Sequence, residues 1–145
     1  MVRTTLLDAL GRGGYRMTRP RREVAELIGA RDGHFTAAEL VAEAGRQRRR
    51  IGRATVFRAL DTFTALGLVE RLDLPSGEHA YVTCEPEPRH HHHLICATCG
   101  RTTEISGCNV AALAPDVERE TGYQLDTHRV ELFGTCPECQ RRPRD

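Results

Sequence analysis

The residues best equipped for chemistry are the paired cysteines Cys96-x-x-Cys99 and Cys136-x-x-Cys139. Two close pairs can present four thiolates to one tetrahedral zinc, a use that accounts for both pairs together. Directly ahead of the first pair runs His90, His91, His92 and His93, followed by the apolar Leu94 and Ile95. This run lies inside the chain and leads into what reads as a strand, where alternate side chains share a face and can chelate jointly. A structural zinc held by cysteines and a second, exchangeable metal are therefore expected. Cys84 and Cys108 remain outside the two pairs. Cys108 reads as a small buried thiol, and His79, beside a turn signal, as a solvent-facing side chain.

A chain of 145 residues, 39% hydrophobic and without tryptophan, has material for one domain or two very small ones. Small halves need a staple, which zinc provides. No stretch approaches the roughly 18 apolar residues of a membrane span, and the N-terminus lacks the apolar core of a signal peptide. A cytoplasmic protein is expected, in which paired cysteines serve as metal ligands rather than disulfides. The net charge of +1 hides a division: residues 1–60 hold thirteen arginines against six acids, a net +7, and residues 61–145 hold eight against fourteen, a net −6. Every basic residue is arginine, which forks onto phosphate or guanine edges, so the N-terminal part suits a polyanion. Charge alone fits a solvated arginine-rich surface equally well.

Pattern favours nucleic acid. Leu6, Leu7 and Leu10 mark a first helix; Thr18 and Pro20 open a second, whose Val24, Leu27 and Ile28 share a face. Thr36 to Glu39 has the form of a capping box, with Leu40, Val41 and Ala44 following at helical spacing. After the basic run Arg46 to Arg50, residues 51–66 read as a fourth helix stopped by Gly67, the natural recognition helix. Leu68 to Leu72 and Ala80 to Val82 read as strands around Pro75-Ser76-Gly77. Helices followed by a hairpin make a winged helix-turn-helix over residues 1–83. Glu85-Pro86-Glu87-Pro88 reads as a semi-rigid hinge, spanning 84–89. Residues 90–145 should form a small α/β domain: strands at His93 to Ile95, Thr102 to Ile105 and Gln124 to Phe133, and a helix from Val110 to Thr121. The fold class is thus α+β. The second domain's apolar positions, among them Val130, Leu132 and Phe133, exceed what so short a segment buries alone, so a symmetric homodimer is expected.

With the motif Thr55-Val56-Phe57-Arg58, the segment His90 to Gly100 and the tail Phe133 to Cys139 in view, residues 6–139 resemble the ferric uptake regulator family of bacterial metal-dependent repressors. The resemblance implies a winged helix, a dimerisation domain, and a regulatory metal between them that closes the dimer on an A/T-rich operator palindrome. Carried over residue by residue, it implies that the regulatory ligands are His34, Cys84, His91, His93 and Glu104. In the zinc-sensing branch the hinge ligand is a cysteine and an acid near the end of the recognition helix contributes, a place Glu70 occupies. A thiolate at Cys84 favours zinc over manganese or ferrous iron, whereas His34 resembles the iron and peroxide branches. A third site is implied at His90, His92 and His128, although its usual glutamate is Ala111 here; Cys108, about one helical turn earlier, is the alternative ligand if it lies near the start of that helix. On DNA, Arg58, Thr55 and Phe57 are expected in the major groove, with Arg16 and Arg21 at the minor groove or backbone and Arg53 at phosphate. Relatives usually carry tyrosine where Phe57 stands. Ferrous iron- or manganese-dependent repression, peroxide sensing, and a zinc-ribbon interaction module without DNA binding are the alternatives. The last explains the cysteines but not the winged helix. No HExxH or nucleophile motif points to an enzyme.

Overall fold

The computed structural model describes residues 2–84, 91–105 and 107–141. The chain divides into two compact units, Met1–Glu87 and Pro88–Asp145. In the first, helices α1 (Val2–Arg12), α2 (Arg19–Gly29), α3 (Ala37–Arg46) and α4 (Arg53–Ala65) precede a hairpin of β1 (Val69–Asp73) and β2 (His79–Thr83). Local chemistry sets the helix ends. The Thr18 hydroxyl accepts from the Arg21 amide to open α2, with Pro20 in its first turn. At α3 the expected capping box is formed: Thr36 Oγ1 accepts from the Glu39 amide at 3.1 Å, and Glu39 Oε2 accepts from the Thr36 amide at 2.8 Å.

α4 starts at Arg53, slightly later than the apolar pattern suggests, because Gly52 is its extended N-cap. Its end is a Schellman arrangement, with Leu68 N donating to Phe63 O and Gly67 N to Thr64 O, both at 3.0 Å. This turn needs the left-handed backbone that Gly67 adopts at φ 68°. It delivers the chain directly into β1. Leu10, Val24, Ile28, Phe35, Leu40, Val56, Leu60 and Phe63 are fully buried in one core. The hairpin is antiparallel, Val69 opposite Thr83 through Asp73 opposite His79. A bridge between Phe35 and Tyr81, with stacked rings 6.2 Å apart, ties it to the α2–α3 loop.

In the second unit, β3 (His92–Cys96), β4 (Thr102–Ile105) and β5 (Glu131–Gly134) form a sheet in the order β4-β3-β5, accompanied by α5 (Val110–Thr121) and a short α6 (Pro137–Gln140). β4 is antiparallel to β3 and β5 parallel to it. The expected strand from Gln124 is corrected: only Glu131–Gly134 is strand, because β3 offers ladder partners only from His93, opposite Glu131, to Cys96, opposite Gly134. α6 escaped the pattern, since four residues inside a cysteine pair carry no periodicity. No residue of α5 is buried, and Leu113, Tyr123, Leu125, Leu132 and Phe133 are exposed. Among the described residues, no helix is long and apolar enough to cross a membrane.

Candidate metal centres and nucleic-acid interface

The four paired cysteines converge. Cys96 ends β3, Cys99 follows in a turn closed by the Gly100 amide on Cys96 O at 2.9 Å, and Cys136 and Cys139 flank the start of α6 and lie within it. Their sulfurs lie within 4.8 Å of one another, and Cys99 Sγ is 3.7 Å from Cys136 Sγ. That is too long for a disulfide and close to the roughly 3.8 Å that Zn–S bonds of about 2.3 Å impose between sulfurs of a tetrahedron. The donor set therefore fits zinc. Backbone amides of Cys136 and Cys99 hold the Cys96 thiol down at about 6, while the adjacent Cys136 sulfur pushes Cys139 up to about 12. Four crowded sulfurs resist becoming four anions together, a repulsion that a divalent cation removes. Arg101, just past the first pair, donates from Nη2 to Glu138 Oε2 inside the second at 2.7 Å, linking the two turns; the carboxylate raises the guanidinium's already high pKa.

The histidine run splits by strand alternation. On one face of β3, the rings of His91 and His93 meet edge to face with centroids 5.1 Å apart. Glu104 of β4 pairs opposite His93, and its Oε1 lies 3.9 Å from His91 Nε2. His93 is only 2% exposed and His91 half-buried, whereas Glu104 is exposed, so the two imidazoles are recessed and the carboxylate lies at the solvent edge. On the other face, His92 lies against His128 with ring centroids 5.4 Å apart. His90 lies outside the described residues. Cys108, expected to be a buried thiol, is corrected: it is half-buried, and its Sγ is 3.0 Å from His128 Nε2. The sole sequence hint was a cysteine about one helical turn before Ala111, where the family carries a metal-binding acid.

Within the first unit, Cys84 Sγ lies 3.9 Å from Glu70 Oε2, because Glu70 on β1 and Cys84 just beyond β2 sit at the same end of the hairpin. His34 is half-buried beside the Phe35–Tyr81 bridge. His79 is exposed and pairs with Asp73 at 2.7 Å.

The exposed face of α4 carries the expected nucleic-acid residues. Arg53 lies over the Phe57 ring at 5.8 Å, Phe57 is 39% exposed, and Arg58 Nη2 donates to Thr55 Oγ1 at 3.4 Å. The buried positions Val56, Ala59, Leu60 and Phe63 fix this face outward. Arg21 spans the Arg16 carbonyl at 2.9 Å and the Tyr15 ring at 5.8 Å. In the basic run, Arg49 is engaged internally with Glu26 at 2.9 Å and belongs to the packing of α2.

Comparison with known proteins gives a consistent set of likenesses. A profile of the ferric uptake regulator family matches residues 12–133. The zinc uptake regulation protein of Mycobacterium tuberculosis is 37% identical over 127 residues, covering 88% of this chain and 96% of that protein. The ferric uptake regulation protein of Escherichia coli K12 is 33% identical over 132 residues, covering 90% and 87%. Among solved structures, a zinc uptake regulator complexed with zinc and DNA superposes with a TM-score of 0.78 at 25% identity, covering 97% of this chain and 95% of the other.

Proposed function

The chain belongs to the ferric uptake regulator family, and from that premise we propose that it is a zinc-responsive repressor of metal-uptake genes, acting as a cytoplasmic homodimer on an A/T-rich operator palindrome. It is a metal-responsive transcriptional regulator, of a family made up of regulators and not enzymes. The observation that carries zinc is Cys84 beside Glu70 at 3.9 Å: a thiolate in the ligand set disfavours manganese and ferrous iron. The likenesses to a zinc uptake regulation protein and to a zinc uptake regulator complexed with zinc and DNA support the same reading.

Each unit prearranges part of a ligand set. Cys84 and Glu70 supply a thiolate and a carboxylate from the first unit; His91, His93 and Glu104 supply imidazoles and a carboxylate from the second. Metal bound at these donors would favour one arrangement of the winged domains over others by its differential affinity. Two recognition helices can then reach successive major grooves of one duplex face. Arg58 and Phe57 present a fork and an apolar ring suited to guanine and to a thymine methyl, and Arg53, Arg16 and Arg21 add backbone contacts. The exposed Leu113, Tyr123, Leu125, Leu132 and Phe133 give the second unit an apolar surface for a second copy.

A ferrous iron-dependent repressor is the second reading, favoured by His34 and by the likeness to the Escherichia coli ferric uptake regulation protein. Cys84→Ser separates them. Under the zinc reading this variant stays folded, and the zinc needed for half-maximal binding to a duplex selected from a random pool rises steeply, as read by fluorescence anisotropy. An unchanged zinc response would remove Cys84 from the sensor, and binding driven by ferrous iron but not by zinc in the unaltered chain would favour the second reading.

A further inference from the structure

The basic run between α3 and α4 folds into a turn that is costly for its sequence. α3 ends in the same arrangement as α4: Arg49 N donates to Ala44 O at 2.8 Å and Arg48 N to Gly45 O at 3.0 Å. After α4 the left-handed position of that turn is filled by Gly67. After α3 it is filled by Arg48, at φ 54° the sole non-glycine residue with positive φ among the described residues. A Cβ makes this backbone unfavourable, and glycine relieves it. Stability therefore does not account for an arginine here, and backbone strain of this kind gathers at ligand-binding positions.

The turn is anchored by its middle residue: Arg49 Nη1 donates to Glu26 Oε2 of α2 at 2.9 Å, and Arg49 Nε to Gln47 Oε1 at 2.9 Å. Arg48 and Arg50 on either side are exposed, and among the described residues no carboxylate pairs with either. With Arg19 at the start of α2 they line a cleft of about 510 Å³. Four guanidiniums, Arg49 included, face one carboxylate there, that of Glu23, which pairs with Arg19 at 2.8 Å. Such an excess of forked cations suits a phosphate group. Arg50 stands two residues ahead of Gly52, the N-cap of α4, whose outer face carries Arg53, Phe57 and Arg58.

We propose that Arg19, Arg48 and Arg50 form a phosphate-binding cleft that grips the DNA backbone beside the recognition helix. This rests on the reading of the chain as a DNA-binding regulator and adds where the duplex is held. A recognition helix enters the major groove by its N-terminal residues, so the phosphates bordering the groove pass the residues just ahead of α4. Contacts of this type read no bases; they fix register and add affinity by releasing counterions. Arg48 gives up fold stability for that affinity.

The full chain with excess zinc is titrated onto the selected duplex and onto random DNA by fluorescence anisotropy at several salt concentrations, with Arg48→Gly and Arg50→Gln made singly and together. Each lost phosphate contact lowers the slope of log K against log salt by about 0.9, and affinity at about 0.15 M salt by about fivefold, on both duplexes alike. Arg48→Gly keeps the turn, and its urea midpoint stays level or rises, which separates lost binding from lost fold. Arg48→Lys with Arg50→Lys keeps the slope, because lysine also holds phosphate as a point charge. An unchanged slope in the doubly altered Gly/Gln chain, while the unaltered chain binds, overturns the cleft and leaves the regulatory reading standing. Losses confined to the selected duplex also overturn it, since they place these arginines on bases. Inorganic phosphate binding, read by calorimetry, that disappears in that variant while the slope stays the same assigns the cleft to a free anion and overturns the DNA assignment. An unaltered chain that binds neither duplex with any metal overturns both readings.

Discussion

At the scale of single residues, the four paired cysteines were legible because ligand spacing is a property of sequence, whereas Cys108 was legible only as an alternative to a small buried thiol. Its partners His92 and His128 come from distant segments, and no local spacing encodes a contact made by a sheet and two loops. The alternate faces of the histidine run were legible too, since period-two alternation follows from any strand. Cys96→Ser should strip the structural zinc and with it the folded second unit, because the binding free energy of such a site is folding free energy. Elemental analysis and size exclusion check this, and a zinc-replete dimer would refute the structural role. Arg58→Ala should cost about 1–3 kcal/mol against the selected duplex and much less against random DNA, as for an arginine forked on a base. Equal losses on both duplexes would reassign Arg58 to phosphate.

At the scale of elements, helix ends were read well where a side chain or glycine sets them. Thr36 with Glu39 and Gly67 are such signals, and each makes the hydrogen bonds its motif requires. Gly67→Ala is the corresponding test: nothing lies within 4 Å of the added methyl, so the cost is purely that of holding alanine at positive φ, about 1–2 kcal/mol. Urea unfolding of the variant should show a lower midpoint with unchanged slope, and an unchanged midpoint would contradict the assigned turn. The strand expected from Gln124 was read too long. Alternation in Gln124 to Val130 signals a face, but a strand exists only where a neighbour completes its ladder, and the partner strand β3 is five residues long. α6 had no pattern to reveal it; it is imposed by the turn that places Cys139 beside Cys136.

At the scale of the whole molecule, the division of charge anticipated what α4 displays. The arginine-rich stretch 1–60 carries the exposed Arg53, Phe57 and Arg58 on one face of α4, whereas the second unit, nearly balanced with seven arginines against eight acids, carries the cysteine knot. Which metal the protein obeys was only half legible, because Cys84 and His34 point to different branches of one family and sequence alone gives no distances. Cys84 at 3.9 Å from Glu70 is the geometric reason to favour zinc. The most direct test is duplex binding by fully chelated, then knot-reconstituted protein, titrated anaerobically with zinc, manganese and ferrous iron in parallel, with bound metal counted by elemental analysis. The account predicts that zinc beyond that of the knot restores binding at far lower free concentration than either other metal. Binding restored only by ferrous iron or manganese, with no zinc outside the knot, would contradict it.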